Sequence, residues 1–241
     1  MKQLKILSTL AIVFILLFSS CAADEETSTE TSVENDSTTN AAPASTIVTT
    51  PETIMIVWHK VADFNKWKVS FEAHDSMKHA NGLHNYVLGR SVEDSNFILV
   101  ANKADDVARA KAFAKDPALK EAMKKGGVTG PPTIMFTNVV YQDMSPNMSD
   151  LRSMTMFTVK DWEGWKSSFE SNRQVRKDNG LTDRAYGHDV DDNKKIILVV
   201  GIDDSTKAEA FWKSDLIKQK RAESGVVGEV KRYVYRVAHK Y

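Results

Sequence analysis

The stretch Asp63-Phe64-Asn65-Lys66-Trp67-Lys68 returns 98 residues later as Asp161-Trp162-Glu163-Gly164-Trp165-Lys166. Asn81-Gly82-Leu83 returns as Asn179-Gly180-Leu181, Asp105-Asp106 as Asp203-Asp204, and Gly127-Val128 as Gly225-Val226. Laid together without a gap, Ile54–Tyr141 and Arg152–His239 agree at 25 of 88 positions. Duplication explains so regular an offset, and it sets the domain count. The two copies occupy residues 52–142 and 150–241.

Each copy alternates between two periods. Thr53–Val61 is apolar and β-branched, as a strand requires. Asp63 follows as a helix N-cap, before Phe64, Trp67, Phe71 and Met77 at helical spacing. Gly82 ends that helix, where a left-handed residue is favoured. Leu83–Val92 and Phe97–Ala104 form a strand pair around the polar turn Glu93–Asn96. A second helix starts at Asp105-Asp106, restarts at Asp116-Pro117 and stops at Gly126-Gly127. Thr133–Tyr141 is the fourth strand. The second copy repeats the order with Met154–Val159, Trp162–Asp178, Leu181–Val190, Lys195–Ile202, Ser205–Glu223 (Ser214 as mid-helix cap) and Val230–Ala238. The fold class is therefore α+β, two tandem ferredoxin-like βαββαβ repeats. Such a unit covers one sheet face with helices and leaves the other to be buried, and here each copy can cover the other.

Asp63-Phe64-Asn65-Lys66-Trp67-Lys68 and Gly127-Val128-Thr129-Gly130-Pro131-Pro132 resemble the dimeric α/β-barrel superfamily, near its antibiotic-biosynthesis-monooxygenase-like group. The resemblance spans both repeats. It implies two sheets pairing into an eight-stranded barrel, closed here within one chain as a monomeric pseudo-dimer. A barrel of that size is filled by side chains or holds one small ligand. Members of the superfamily include cofactor-independent monooxygenases of electron-rich aromatics and haem-degrading enzymes.

Upstream, Lys2, Lys5 and the apolar run Ile6–Phe18 read residues 1–20 as an export signal, too short to span a bilayer. Cys21, the only cysteine, follows small residues and resembles a lipoprotein lipobox. That implies cleavage before Cys21, lipidation of its thiol and a membrane partner through that anchor. Residues 21–51, rich in Ser, Thr and acid, read as a disordered tether. Ala22-Ala23-Asp24-Glu25-Glu26 resembles the surface-export signal of Bacteroidetes lipoproteins. The expected location is the outer membrane, at the cell surface or on the periplasmic face. Residues 51–241 carry 30 basic and 26 acidic side chains, interspersed without a basic stripe, which argues against nucleic acid as a partner.

The copies differ most in histidine. His59, His74, His79 and His84 correspond to Phe157, Asn172, Lys177 and Thr182, so one half can hold a working pocket and the other a structural core. Alternation along the first strand sets Met55, Val57 and His59 on one face and Ile54, Ile56 and Trp58 on the other. One face lines the barrel, and the pattern leaves open which. His59 is the candidate proton acceptor or iron ligand. His84, Tyr86 and Arg90 share a face by simple alternation and suit an anionic or aromatic small molecule. The expected ligand-binding set is Trp58, His59, His84, Tyr86 and Arg90.

No metal site is expected. His74 and His79 stand five apart, roughly 140° around a helix, and no second cysteine exists. Asp94, Asp192 and the Asp-Asp pairs have turn or capping roles. No nucleophile elbow, phosphate loop or dinucleotide fingerprint is present. The leading functional expectation is a lipid-anchored protein binding a small, partly aromatic ligand without a cofactor. The alternatives are a cofactor-independent monooxygenase-like or haem-degrading enzyme, with haem as the possible cofactor, and a structural envelope module.

Overall fold

Aspartate sets where the helices begin. Asp63, Asp106, Asp161 and Asp204 each accept a hydrogen bond from the backbone N–H three residues on, satisfying a donor the helix would leave orphaned. Gly82, Gly127, Gly180 and Gly225 follow the helices at positive φ. The computed structural model describes residues 46–146 and 149–241; the export signal, Cys21 and most of the expected tether lie outside them.

The first repeat runs β2 (Glu52–Lys60), α1 (Phe64–Ala73), α2 (Asp75–His79), β3 (Leu83–Ser91), β4 (Phe97–Ala104), α3 (Val107–Phe113), α4 (Pro117–Lys125) and β5 (Thr133–Asp143). A two-residue strand, β1 (Ile47–Val48), precedes it. The second repeat runs β6 (Leu151–Val159), α5 (Trp162–Ser171), α6 (Arg173–Asp178), β7 (Leu181–Asp189), β8 (Lys195–Ile202), α7 (Ser205–Lys213), α8 (Asp215–Glu223) and β9 (Val226–Lys240). Among the described residues no helix is long and apolar enough to cross a membrane.

Three local features differ from the sequence expectation. β1 lies inside the stretch read as tether and pairs with the end of β5. Each first helix is broken, at His74 and at Asn172. His74 Nδ1 lies 2.6 Å from the Ser70 carbonyl and Asn172 Nδ2 donates to the Ser168 carbonyl at 2.7 Å. The His74 ring takes the i−4 carbonyl that a continuing backbone uses, while the Asn172 side chain shares the Ser168 carbonyl with its own backbone N–H at 3.3 Å. The last strand of each repeat is also longer than its apolar pattern suggests.

Those long strands close the molecule. The strands order β5-β2-β4-β3-β9-β6-β8-β7, and β7 returns to β5. Every pairing is antiparallel, and the halves meet at two seams, β3 with β9 and β5 with β7. This is an eight-stranded barrel of two ferredoxin-like sheets within one chain. β5 overshoots its own repeat, so Tyr141 stacks on Tyr186 at 4.9 Å in the core of the second half. Tyr241, past β9, reaches back to Phe71 at 6.3 Å.

Three apolar layers follow. Ile54, Ile56, Trp58, Leu99, Met154 and Tyr235 meet inside the barrel. Met55, Val57, Trp67 and Phe113 lie between the first sheet and its helices. Trp165, Phe169, Val200 and Phe211 do the same in the second half.

Candidate functional site

The face left open by strand alternation is settled by the layers. Trp58 points into the barrel, with its ring 4.6 Å from that of Tyr233. His59 points the other way, beneath α1, with its ring 5.2 Å from Trp67. The two residues are on opposite sides of the sheet and cannot share a ligand. His59 is 4% exposed. Neither ring nitrogen has a hydrogen-bond partner among the described residues. Burial pushes its pKa down to about 4, so the imidazole is neutral at physiological pH.

His59 borders a cavity of about 80 Å³ between the first sheet and its helices. Trp67, Phe71, Met77, Leu119 and Met123 give it apolar walls. Two further polar side chains reach it. Asn102, 2% exposed, has an unpartnered Oδ1. Lys78, 6% exposed, donates to Asn85 Oδ1 at 2.6 Å and lies 3.4 Å over the Phe71 ring. Burial outweighs the pull of Asp75 and Glu72 and brings the Lys78 amine down to about 8.

The second repeat shows the same layer without that chemistry. Phe157 replaces His59 and packs 5.5 Å from Trp165, and Val200 replaces Asn102. Arg176 and Asp183 replace Lys78 and Asn85, joined by two hydrogen bonds of 2.6 and 2.7 Å. The third arm of Arg176 donates to the Phe169 carbonyl at 2.7 Å. A cavity of about 100 Å³ remains there, lined by Arg176, Arg221 and Arg232 but by no histidine. The first repeat thus keeps a histidine, an amide and a carboxylate-poor amine where the second has apolar packing and a closed ion pair. Lys78 and Asn102 escaped the sequence reading. The signal was present, since the 98-residue offset sets Lys78 on Arg176, Asn85 on Asp183 and Asn102 on Val200.

The remaining sequence candidates separate. A β-bulge between Asn85 and Val87 adds one residue to β3 and resets its alternation. Tyr86 and Val87 both face the barrel, while Leu88 and Arg90 turn toward the helices. Tyr86 donates to Gln142 at 2.9 Å. Arg90 instead covers the Phe64 ring at 4.0 Å and donates to the Ser95 carbonyl. His84, half-exposed, lies 2.9 Å from Asp105. The expected group of Trp58, His59, His84, Tyr86 and Arg90 is therefore dispersed over three environments. A third cavity, about 140 Å³, lies inside the barrel, with Tyr86 in its wall.

Solved structures share this architecture. An anthrone oxidase-like protein superposes with a TM-score of 0.56 at 14% identity, over 81% of this chain and 95% of its own. A candidate monooxygenase from Lactobacillus acidophilus gives 0.51 at 11% identity, over 78% and 94%. A candidate chlorite dismutase gives 0.51 at 10%, over 79% and 96%. The fold is that of the dimeric α/β barrels. No family model matches the chain, and no curated protein matches its sequence.

The haem alternative can be tested on volume. Even drug-sized ligands need roughly 300–1,000 Å³, and the three cavities within the layers measure about 80, 100 and 140 Å³; a fourth, a cleft of about 700 Å³ along α4 and residues 128–134, has no histidine in its lining. The His59 cavity in this conformation does not fit a haem, and no haem chemistry is derived from it. What it offers is a dry imidazole, an amide oxygen and an amine within apolar walls.

Proposed function

We propose that this protein binds a small, partly aromatic molecule in the first-repeat cavity, with His59 at one end of that space to meet a polar group of the ligand and Asn102, opposite Met55, toward the other. The observation that carries the reading is the pair of buried, unpartnered groups facing one space. Each unsatisfied buried group costs on the order of 1–3 kcal/mol, and a ligand hydroxyl or carbonyl recovers part of it. The resting void is about half the roughly 150 Å³ that accommodates benzene. Entry therefore requires Met77 and Met123 to rotate, which methionine does readily. On this reading Cys21 is lipidated and tethers the barrel at the outer membrane.

A second reading is oxidation of that ligand by dioxygen without a cofactor. The neutral imidazole beside Trp67 favours it, because it is unprotonated and free to accept a proton, and a ligand anion formed beside it would raise its pKa from the resting value of about 4. An activated ring CH2 becomes C=O, with the second oxygen atom leaving as water. The names of the fold relatives, anthrone oxidase-like and candidate monooxygenase, lend it support.

Thermal melts against a panel of phenols and anthrones test the binding reading. We expect at least one compound that stabilises the natural protein and fails to stabilise His59→Phe, which copies the second repeat and should remain folded. Equal stabilisation of both proteins would remove the proposal. An oxygen electrode with the stabilising compound separates the readings, since uptake that His59→Phe abolishes supports oxidation and absence of uptake leaves binding alone.

A further inference from the structure

We infer that the barrel interior is a second ligand site, built for a small carboxylate whose apolar body is about the size of one benzene ring. It lies on the opposite sheet face from His59 and does not depend on the proposed function of that cavity.

Size comes first. The interior cavity measures about 140 Å³, close to the roughly 150 Å³ apolar void that takes up benzene. Ile54, Ile56, Leu99, Met154, Ile197 and Val199 form its walls. Beyond them the interior is filled, with Trp58 against Tyr233 and with Met135 and Met156 packed around them.

Charge comes second. Arg152, Arg184 and Lys240 line this same cavity, together with Gln142 and Asp143. Arg152 is 5% exposed, and its Nη1 donates to the Ser149 and Leu151 carbonyls at 2.8 and 2.9 Å. Its Nε and Nη2 have no partner among the described residues, and no carboxylate pairs with it. Arg184 donates to the Ser145 carbonyl at 2.6 Å and only loosely, at 3.4 Å, to Asp143.

The neighbouring acids are already engaged. Glu52 holds Lys103 and Gln142, Asp150 holds Arg236, and Asp203 accepts from Thr182. Two buried arginines and the exposed Lys240 therefore share one carboxylate, Asp143, which accepts from the Ser145 N–H at 2.8 Å and pairs with Arg184 at 3.4 Å. Arg152 is lowered chiefly by burial, with Arg184 adding to the shift and Tyr235, Asp203 and Asp150 opposing it, and Lys240 is lowered by burial and by both arginines.

A cluster of like charges at an apolar cavity is unfavourable on its own. A ligand carboxylate removes that repulsion and accepts the free arginine N–H groups in charge-assisted hydrogen bonds, the strong kind. An alcohol of the same shape fills the walls equally well but leaves the cations unpaired, and an amine adds a fourth. This sets the selectivity as carboxylate over alcohol over amine.

The test is calorimetric titration of the full chain with benzoate, benzyl alcohol and benzylamine. We expect one benzoate per chain, benzyl alcohol at least tenfold weaker and benzylamine undetectable. In R152Q and R184Q benzoate affinity should fall at least tenfold, while His59→Phe should leave it unchanged. Equal binding of benzoate and benzyl alcohol, no benzoate binding, or loss of benzoate binding in His59→Phe would each overturn the proposal. Because an arginine variant could unfold, proton NMR of the natural protein with benzoate gives an independent readout. Ring-proton contacts to the methyls of Ile54, Ile197 and Val199 are expected, and contacts only to Leu119 and Met123 would place the ligand in the other cavity and refute the site.

Discussion

At the scale of single residues, His59 ties the candidate site to a measurable pH dependence. Its folded pKa is about 4 against 6.5 when exposed. Between those values the unfolded chain binds the extra proton, so stability is full above pH 6.5 and is lost as pH falls toward 4. The difference amounts to about 3 kcal/mol over the window. Denaturant titrations from pH 4.5 to 7.5 should show His59→Phe losing less stability on acidification than the natural protein by about that amount; parallel curves would mean that the imidazole is hydrated or paired. The sequence made His59 a candidate and placed Trp58 on the opposite face. It could not say which face the helices cover, because Ile54 and Ile56 are as apolar as Met55 and Val57. The layering of the two sheets decides that, and no local pattern encodes it.

At the scale of elements, the contact between the first helix pair and the strand that follows shows how the halves diverged. Arg176 on α6 and Asp183 on β7 form a buried bidentate pair, joined by Arg173 at 3.2 Å. Asp183→Asn leaves a buried guanidinium without its carboxylate and should cost about 3–5 kcal/mol. The mirror change, Asn85→Asp on β3, gives Lys78 the carboxylate its counterpart has. It should raise the Lys78 pKa from about 8, but it also replaces the Asn85 N–H that donates to Asp75 at 2.7 Å by a second carboxylate, so the change should cost less than Asp183→Asn. Urea denaturation of both variants checks the order, and equal or greater destabilisation by Asn85→Asp would mean that Lys78 gains nothing from the new carboxylate. Element order and helix caps were legible because Asp63, Gly82, Asp116 and their counterparts mark boundaries by backbone chemistry. The bulges at Tyr86 and Arg184 were not legible. A bulge preserves apolar alternation on either side and only shifts its phase, so Arg90 read as a neighbour of Tyr86 when it is not.

At the scale of the whole molecule, two glycines at matching positions of the repeat meet different demands where the barrel closes. A Cβ on Gly187 would lie 2.1 Å from the Asn138 carbonyl oxygen and 2.7 Å from the Val139 Cα. Both are backbone atoms of β5, at the seam where β7 closes the barrel. A Cβ on Gly89 would meet the Tyr235 ring at 2.4 Å, beside the β3–β9 seam. Backbone in a paired strand cannot rotate away, whereas the Tyr235 ring borders the interior cavity of about 140 Å³ and has space to swing into. Gly187→Ala should therefore destabilise by roughly 4 kcal/mol or more, in the range reserved for identifiable steric or strain mechanisms. Hydrogen exchange should then speed up along β5 and β7 while β3 and β9 stay protected. Gly89→Ala should cost less, keep both seams, and shrink the interior void so that benzoate no longer binds. Melting temperatures with exchange rates for both variants distinguish these outcomes. Equal destabilisation with exchange opening at both seams would mean that the barrel closes as one cooperative ring, with neither glycine special.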